Sequence, residues 1–318
     1  MSMREDVLLA DIYARCRAAG ERVLIGPGDD MALLHLEDRR LLVAVDQVIE
    51  GRHFDATRTS PEEIASKAVA RCISDVAAMA GIPLASLAAC VLPSRFPEEG
   101  ARRLFAATHD ACRRLGAELI GGDLASHGAP DHPLTLSITV LAAPGPAGAI
   151  RRSGARPGDR LYVTGELGAT LDPDGRGHHL TFRPRVAEAL ALAEALGPRL
   201  HAMVDLSDGL GRDADHIATQ SRVVIETSTA ALPCRHGCSW RCAAGDGEDY
   251  ELCFAAEGPV PAHLVGVRVT EIGTVRAPEG GEDPAHWLTD GSSRWAGASF
   301  GWEHRGDAGG AASEGSTR

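Results

Sequence analysis

Lysine is almost missing from this 318-residue chain: of 32 basic side chains only Lys67 is a lysine, and the rest are arginine. Lys67 lies between Ser66 and Ala68, so the Gly-Lys-Ser/Thr phosphate loop is absent and no other lysine can form a Schiff base. Dinucleotide fingerprints and the protein-kinase catalytic loop are absent as well. The common glycine-rich ways of holding a nucleotide are thereby excluded. Cysteine is sparse, eight residues in all, too few for a disulfide scaffold. The opening MSMREDVLLADIYARC places Arg4, Glu5, Asp6 and Asp11 where a signal peptide needs an unbroken apolar stretch, which predicts a cytoplasmic protein with reduced thiols. Long apolar runs are lacking too. The longest uncharged run, Val76 to Pro93, is interrupted by Gly81 and Pro83 and is rich in alanine, which reads as a helix end, a turn and a buried strand instead of a membrane span. Positive charge is in deficit: 44 acidic against 32 basic side chains give −12, which repels polyphosphate and anionic lipid unless cations intervene. Neither nucleic acid nor membrane is an expected partner.

What is present is an ordinary folding composition, 44% hydrophobic and 24% charged, and at about 100 to 200 residues per domain the length predicts two domains. Apolar spacing predicts a helix over 4–19 and short strands at 31–36 and 41–49. Ser60-Pro61-Glu62-Glu63 then opens a helix running to about Met79, with serine as cap and proline in the first turn. A strand at 85–92, a helix at 97–115 and strands at 117–121 and 134–142 complete a first α/β half, bounded by the Pro/Gly stretch at 142–149. The second half restarts with a strand at 160–164, a helix at 184–196, a strand at 202–206 and a helix from about Asp208 to Gln220. Strands at 222–227, 251–256 and 267–275 follow. The expected division is 1–145 and 146–304, with a small-residue polar tail at 305–318 that is expected to be disordered.

Five acidic sites share one local grammar, an apolar run followed by carboxylate and often glycine. They are GPGDD (Asp29, Asp30), VAVDQ (Asp46), ISDVAAM (Asp75), IGGD (Asp123) and VDLSDGL (Asp205, Asp208). Strand ends of an α/β sheet aim loop side chains at one crevice, and carboxylates so aimed repel one another unless cations are bound. Mg²⁺ takes oxygen ligands and keeps positions for water and phosphate, so such a crevice can become a polyphosphate site without lysine. Each site alone is more simply a turn residue or a helix cap; their number and common placement carry the metal reading. GEDYELCF, 247–254, adds two carboxylates before an apolar strand, which is equally a plain turn and strand. His53 in EGRHF is open between a phosphate ligand and a surface histidine. Cys234, Cys238 and Cys242 would share one face of a helix but match no zinc spacing, and His178-His179 reads as loop. The arginine pairs beginning at 39, 102, 113 and 151 read as solvated faces.

Taken together, GPGDDMALL, VDQVIEGRHF, KAVARCISDVAAMAGIP, LIGGD, RRSGARPGDRLYVTGELG, VDLSDGL and GEDYELCF resemble, in order and approximate spacing, the thiamine-monophosphate kinases of the aminoimidazole ribonucleotide synthetase-like superfamily. The resemblance runs over about residues 5–304. It implies an α/β (α+β) fold of two domains, an amino-terminal mixed sheet with helices and a carboxy-terminal α/β domain, and pairing of amino-terminal domains into a homodimer. It implies ATP-dependent phosphorylation of thiamine monophosphate to thiamine diphosphate with several Mg²⁺ ions. Carried over by motif, Asp30, Asp46, Asp75, Asp123, Asp205 and Asp208 hold the metals; Gly122, Asp123, Arg152 and Ser207 contact ATP; His53, Glu248 and Trp302 bind the substrate. No acid or base is assigned, because the acceptor phosphate is already anionic.

The chain departs from the family at Ala44, Val45 and Gln47, where hydroxyl residues usually flank the aspartate, at Leu124-Ala125 after the glycine pair, and at Leu115 in place of a tyrosine. The 168–183 segment is short, and Asp246 replaces a glycine. Two rival readings are another ATP-dependent enzyme of the superfamily and a silent thiamine-phosphate-binding homologue. Selenophosphate synthetase and the hydrogenase-maturation dehydratase would want a reactive cysteine near the amino terminus or at the carboxy terminus, and this chain ends in Arg318.

Overall fold

The computed structural model describes residues 22–302. The helix expected over 4–19 and the tail expected at 305–318 lie outside the described residues. The first sheet is built from β1 (Val23–Ile25), β2 (Ala32–Leu36), β3 (Arg39–Ile49), β4 (Gly81–Pro93), β5 (Glu118–His127) and β6 (Thr135–Pro144). Its order is β1-β2-β3-β6-β4-β5, antiparallel throughout except for the β4–β5 pair. Strand β6 shows why it forms: Leu136, Ile138, Val140 and Ala142 alternate with polar or smaller neighbours and are all buried, the period-2 signature of a sheet covered on one side. Strand β4 corrects an expectation. It is not buried on both faces: Ile82, Leu84 and Leu87 are exposed, because among the described residues helices cover only one side of this sheet.

The covering helices are α1 (Pro61–Ala78) and α2 (Glu98–Arg114). Ser60 starts α1 with a full capping box, its hydroxyl accepting from the Glu63 N–H at 3.3 Å while the Glu63 carboxylate accepts from the Ser60 N–H at 2.9 Å. Ile64, Val69, Ile73 and Val76 are fully buried, each contributing about 1.5–3 kcal/mol relative to exposure. Packing on all sides explains the helix's alanine-rich middle, since α1 touches the first sheet and α2 on one side and α3 (Val186–Leu196) and β8 (Leu200–Asp205) on the other. Thus one helix is shared by both halves.

The second sheet runs β14-β13-β9-β12-β7-β10-β8, with β11 (His263–Leu264) paired to β12. Its strands are β7 (Arg160–Thr164), β8, β9 (Val224–Ser228), β10 (Leu252–Ala256), β12 (Val267–Arg276), β13 (Ala285–Thr289) and β14 (Arg294–Ala296); α4 (Leu210–Ser221) and α5 (Trp240–Gly245) accompany them. All five residues of β10 are buried, as expected of a central strand. The hydrophobic pattern did not predict β13 and β14. What anchors β13 is polar: the His286 imidazole, fully buried, pairs with the Thr227 hydroxyl at 2.9 Å and the Gly211 carbonyl at 3.0 Å, while the His286 backbone N–H donates to Asp215 at 2.8 Å. Each sheet has its own core, and a third cluster including Ala77, Ala80, Leu192, Met203 and Phe254 joins them through α1 and α3. Among the described residues no helix is long and apolar enough to cross a membrane.

Candidate active site

The site begins on α1. Lys67, Arg71 and Asp75 are spaced i, i+4, i+8 and so share one helix face. Asp75 meets Asp205, the last residue of β8, and Asp30 from the turn before β2; one carboxylate oxygen from each lies within 4.8 Å of the others. Ser74 donates to Asp205 at 2.6 Å, and the Arg152 guanidinium donates to Asp30 at 2.8 Å. Burial raises the Asp75 carboxyl well above its usual value, and the charges of Asp205, Asp46 and Asp30 raise it further. Burial and Asp30 push Asp205 to about 7, although Ser74 and Arg152 oppose the rise. Asp29, whose carboxylate accepts from the Arg152 N–H at 3.2 Å, is raised to about 6 by burial and by Asp30. The second oxygen of Asp30 is buried without a hydrogen-bond partner. A buried acceptor beside two further carboxylates fits a hard divalent cation, which supplies the missing partner and cancels the repulsion.

Register decides where the other sequence-predicted aspartates point. Asp46 pairs across the sheet with Ile138, which pairs with Ala88 and then Gly122, so all four lie on the helix-covered face. There Arg71 grips Asp46 with two hydrogen bonds, at 2.7 and 3.2 Å. The adjacent row, Gln47, Ser137, Ala89 and Asp123, lies on the uncovered face. Asp123 is therefore exposed on edge strand β5, on the other side of the sheet from Asp46 and outside the Asp30–Asp75–Asp205 cluster within this chain. Val45 and Gln47 also point to the uncovered face, away from the cluster, whereas Leu115 packs inward against Ala70, Phe182 and Tyr250. At Gly122 a Cβ would come within 1.8 Å of the Ala88 carbonyl oxygen, so only glycine permits this β4–β5 register.

The VDLSDGL and GEDYEL segments dock on each other through the backbone. The Glu248 N–H donates to the Ser207 carbonyl at 2.7 Å and the Tyr250 N–H to the Leu206 carbonyl at 2.8 Å; both residues adopt positive φ, 55° and 50°. Two non-glycine residues in that region, two positions apart and just ahead of the buried strand β10, mark a turn held in place by its surroundings. The Trp302 N–H donates to the Asp208 carbonyl at 2.9 Å, bringing the far end of the described chain to the same place. A cleft of about 190 Å³ opens here, with His53, Arg71, Ser207, Asp208, Glu248 and Trp302 in its wall. A second hollow of about 440 Å³, reaching Glu50, Gly51 and His179, continues from it through His53 and Glu248.

Beneath the cleft sits the lone lysine. Lys67 Nζ is fully buried, donates to the His53 carbonyl at 2.6 Å, lies 2.8 Å from His179 Nδ1 and pairs with Glu248 at 2.8 Å. Burial opposes the Glu248 charge, but His179, Lys67 and Arg71 outweigh it and hold that carboxyl at about 2. His53, whose Nδ1 accepts from the Ile49 N–H at 2.9 Å, is pushed down to about 4 by burial and by Arg71 and is neutral at pH 7. The reading of His178-His179 as plain loop is corrected: both sit in a single 3-10 turn, His179 is buried against Lys67, and His178 Nε2 lies 3.0 Å from the Asp249 carbonyl.

Lys67, Arg71, His179 and Asp213 were not anticipated as site residues. The i, i+4, i+8 spacing on α1 was a usable signal for the first two. Asp213 had none: its carboxylate accepts from the Asp208 and Gly209 N–H groups at 3.0 Å each, and burial with the charges of Asp208 and Asp205 raises it well above its usual value. GASFG, 297–301, has nucleophile-elbow spacing that was not anticipated either. Its Ser299 sits in a single 3-10 turn and donates to the Ala296 carbonyl at 2.6 Å, not on a strand-to-helix turn.

The chain is similar to known proteins in both sequence and fold. The family model for AIR synthase related protein, N-terminal domain, matches residues 28–143. Thiamine-monophosphate kinase of Mycobacterium tuberculosis is 32% identical over 320 residues, covering 93% of this chain and 90% of that protein. A solved structure described as AaThiL complexed with AMPPCP and TMP superposes with a TM-score of 0.78 at 25% identity, covering 95% of this chain and 97% of that one. The thiamine-monophosphate kinase structure from Stenotrophomonas maltophilia K279a gives a TM-score of 0.68 at 30% identity over 92% of this chain and 99% of its own. Similarity of this extent means that the chain belongs to the thiamine-monophosphate kinase family, a family of kinases.

Proposed function

We propose that the protein transfers the γ-phosphoryl group of ATP to the phosphate of thiamine monophosphate with the help of Mg²⁺, yielding thiamine diphosphate and ADP in a cytoplasmic biosynthetic step. The observation that carries this reading is the Asp30–Asp75–Asp205 cluster, with its orphaned oxygen, immediately beside a cleft walled by Ser207, Asp208, Glu248 and Trp302. Phosphoryl transfer through a loose transition state asks for positioning and charge neutralisation more than for covalent chemistry. Asp30, Asp75 and Asp205 would hold Mg²⁺, with Asp46 and Asp208 near enough to share the charge, and the bound ions would offset the negative charge of both phosphates. A phosphate oxygen of the acceptor attacks the γ-phosphorus, and the bond to the β,γ-bridging oxygen breaks. Arg152 and Ser207 are assigned to ATP. Arg71 holds Asp46 on the same helix face that carries Asp75. His53, neutral, offers a ring nitrogen edge to the substrate, and Glu248 faces the cationic thiazolium.

The division at about residue 145 is part of the proposal, since the cleft takes His53 and Arg71 from one side of that point and Ser207, Glu248 and Trp302 from the other. A homodimer is proposed as well. Val45 and Leu87 share the uncovered face of the first sheet, Ile82 and Leu84 are exposed beside them, and among the described residues β5 pairs on one edge only. Exposed apolar residues next to an open edge call for a covering partner. Gly122 and Asp123 lie on that edge strand, so the ATP contacts assigned to them belong to the assembled form.

Incubating the protein with ATP, Mg²⁺ and thiamine monophosphate is expected to yield thiamine diphosphate and ADP in equal amounts by chromatography. Ligand binding without any product would instead leave a silent binding homologue. Trp302, 49% exposed in the cleft wall, serves the thiamine rings in this reading. Trp302→Ala is expected to raise KM for thiamine monophosphate about tenfold, the equivalent of roughly 1–1.5 kcal/mol of ring stacking, with little change for ATP. Equal losses for both ligands would remove Trp302 from that role.

A further inference from the structure

Three of the chain's eight cysteines fall within nine residues, at 234, 238 and 242. Cys72, Cys90, Cys112 and Cys253 are buried in the cores, where a thiol is a small apolar group. The clustered three are only partly buried, reduced and placed together. They do not share one helix, as their spacing suggested: Cys234 forms an isolated bridge with Leu167, Cys238 precedes the Ser239 cap of α5, and only Cys242 lies within that helix. The fold nevertheless converges them. Cys238 Sγ, Cys242 Sγ and a carboxylate oxygen of Asp246, the residue that closes α5, all lie within 4.8 Å of one another. Cys234 lies nearby, since it bridges Leu167 and the next residue, Gly168, packs against the Cys238 sulfur.

That spacing suits a tetrahedral ion. Zn–S bonds of about 2.3 Å place two ligating sulfurs roughly 3.8 Å apart, a distance reached here by small side-chain adjustments. The outer contacts are in place as well. The Ser239 hydroxyl donates to Cys242 Sγ at 3.4 Å, and the Ala169 N–H donates to Asp246 at 2.8 Å. Contacts of this kind orient ligands and support a thiolate. The thiolate-rich set selects a soft or borderline ion over Mg²⁺.

We propose that Cys238, Cys242 and Asp246 bind one Zn²⁺ ion in the wall of the cleft, with the fourth position left to water. Asp246 lines the cleft, and the segment it anchors at Ala169 continues into Thr170 and Leu171 on the same wall. Gly168 packs its backbone so closely on Cys238 that a Cβ there would come within 2.4 Å of the sulfur. The ion therefore ties α5 to the 168–171 segment and fixes the backbone leading to Glu248. The site is independent of the phosphoryl-transfer reading, because its donors and its preferred metal differ from those of the aspartate cluster.

The test loads the full-length chain with Zn²⁺, removes free metal and measures bound zinc, then repeats the loading with Co²⁺. Wild type and Asp75→Asn are expected to retain one Zn²⁺ per chain and to show a thiolate-to-cobalt charge-transfer band. Cys238→Ser and Cys242→Ser are expected to weaken Zn²⁺ by more than the roughly 10- to 100-fold that loss of an outer contact costs. Failure of wild type to retain zinc, equal retention by the cysteine variants, or an intramolecular disulfide among these cysteines in place of metal would each overturn the site. If the variants do not fold, the wild-type chain still decides: Zn²⁺ must slow alkylation of Cys238 and Cys242 by iodoacetamide and a chelator must restore it, and an unchanged rate overturns the proposal.

Discussion

Asp75→Asn and Asp205→Asn are each expected to lower turnover roughly 100- to 1,000-fold, the range found when one charge-stabilising group is removed from a preorganised site, without unfolding the protein. In the absence of divalent metal both variants should melt at or above the wild-type temperature, because each substitution relieves repulsion among Asp30, Asp75 and Asp205. With Mg²⁺ added, the wild type should gain thermal stability and the variants should gain less, since only a folded cluster binds the ion. The pH dependence has a definite sign. Burial and the Asp30 charge raise Asp205 to about 7 in the folded state from its ordinary 3.8, so between those values the folded state binds more protons than the unfolded one. Its contribution to metal-free stability is therefore lost as pH rises through that window, and Mg²⁺ at about pH 8 should restore it. Near-normal rates in both variants would remove the cluster from the reaction. Melting curves with and without Mg²⁺, run beside the assay, separate a lost ligand from a damaged fold.

Lys67→Met carries the second large effect, and it falls on stability first. Lys67 is fully buried and Glu248 is 27% exposed on its side chain, so the pair sits largely out of water. Removing the ammonium leaves Glu248 with His179 at 3.4 Å and Arg71 at 3.5 Å, and it strips the His53 carbonyl of its lysine partner. Breaking such a pair costs about 3 kcal/mol. Chemical denaturation should register that loss as a lower midpoint with an unchanged slope. Lys67→Arg should not restore stability, because a planar guanidinium cannot place three donors around one point. Glu248 is held at about 2 in the folded state against its ordinary 4.5, so the stability it provides is present above 4.5 and is lost as pH falls toward 2. The gap between wild type and variant should narrow over that acidic range. A constant gap would place the cost in packing and not in the ion pair.

The sequence by itself determined the elements whose cause is local. The Ser60 cap and Pro61 start α1 where the spacing predicts, the alternation over 134–142 becomes β6, and the apolar run before Asp205 becomes β8. It also identified the aspartate-bearing segments, because an apolar run ending in carboxylate is a local pattern. Tertiary structure alone decided which of those aspartates meet. Asp30, Asp75 and Asp205 converge from a turn, a helix and a strand end, whereas register turns Asp46 and Asp123, which one linear motif reading treated alike, to opposite faces of one sheet. A one-residue difference in pairing reverses a side chain, and no pattern within a single strand states its partner. The partners of Lys67 were equally hidden, since Glu248 lies 181 residues away in sequence and His179 lies 112 away. Strands β13 and β14 escaped for a related reason: buried hydrogen bonds from His286 hold β13, and hydrophobic periodicity does not register them. Local chemistry is legible along the chain, but the electrostatics of the site arises only where distant segments close on one another.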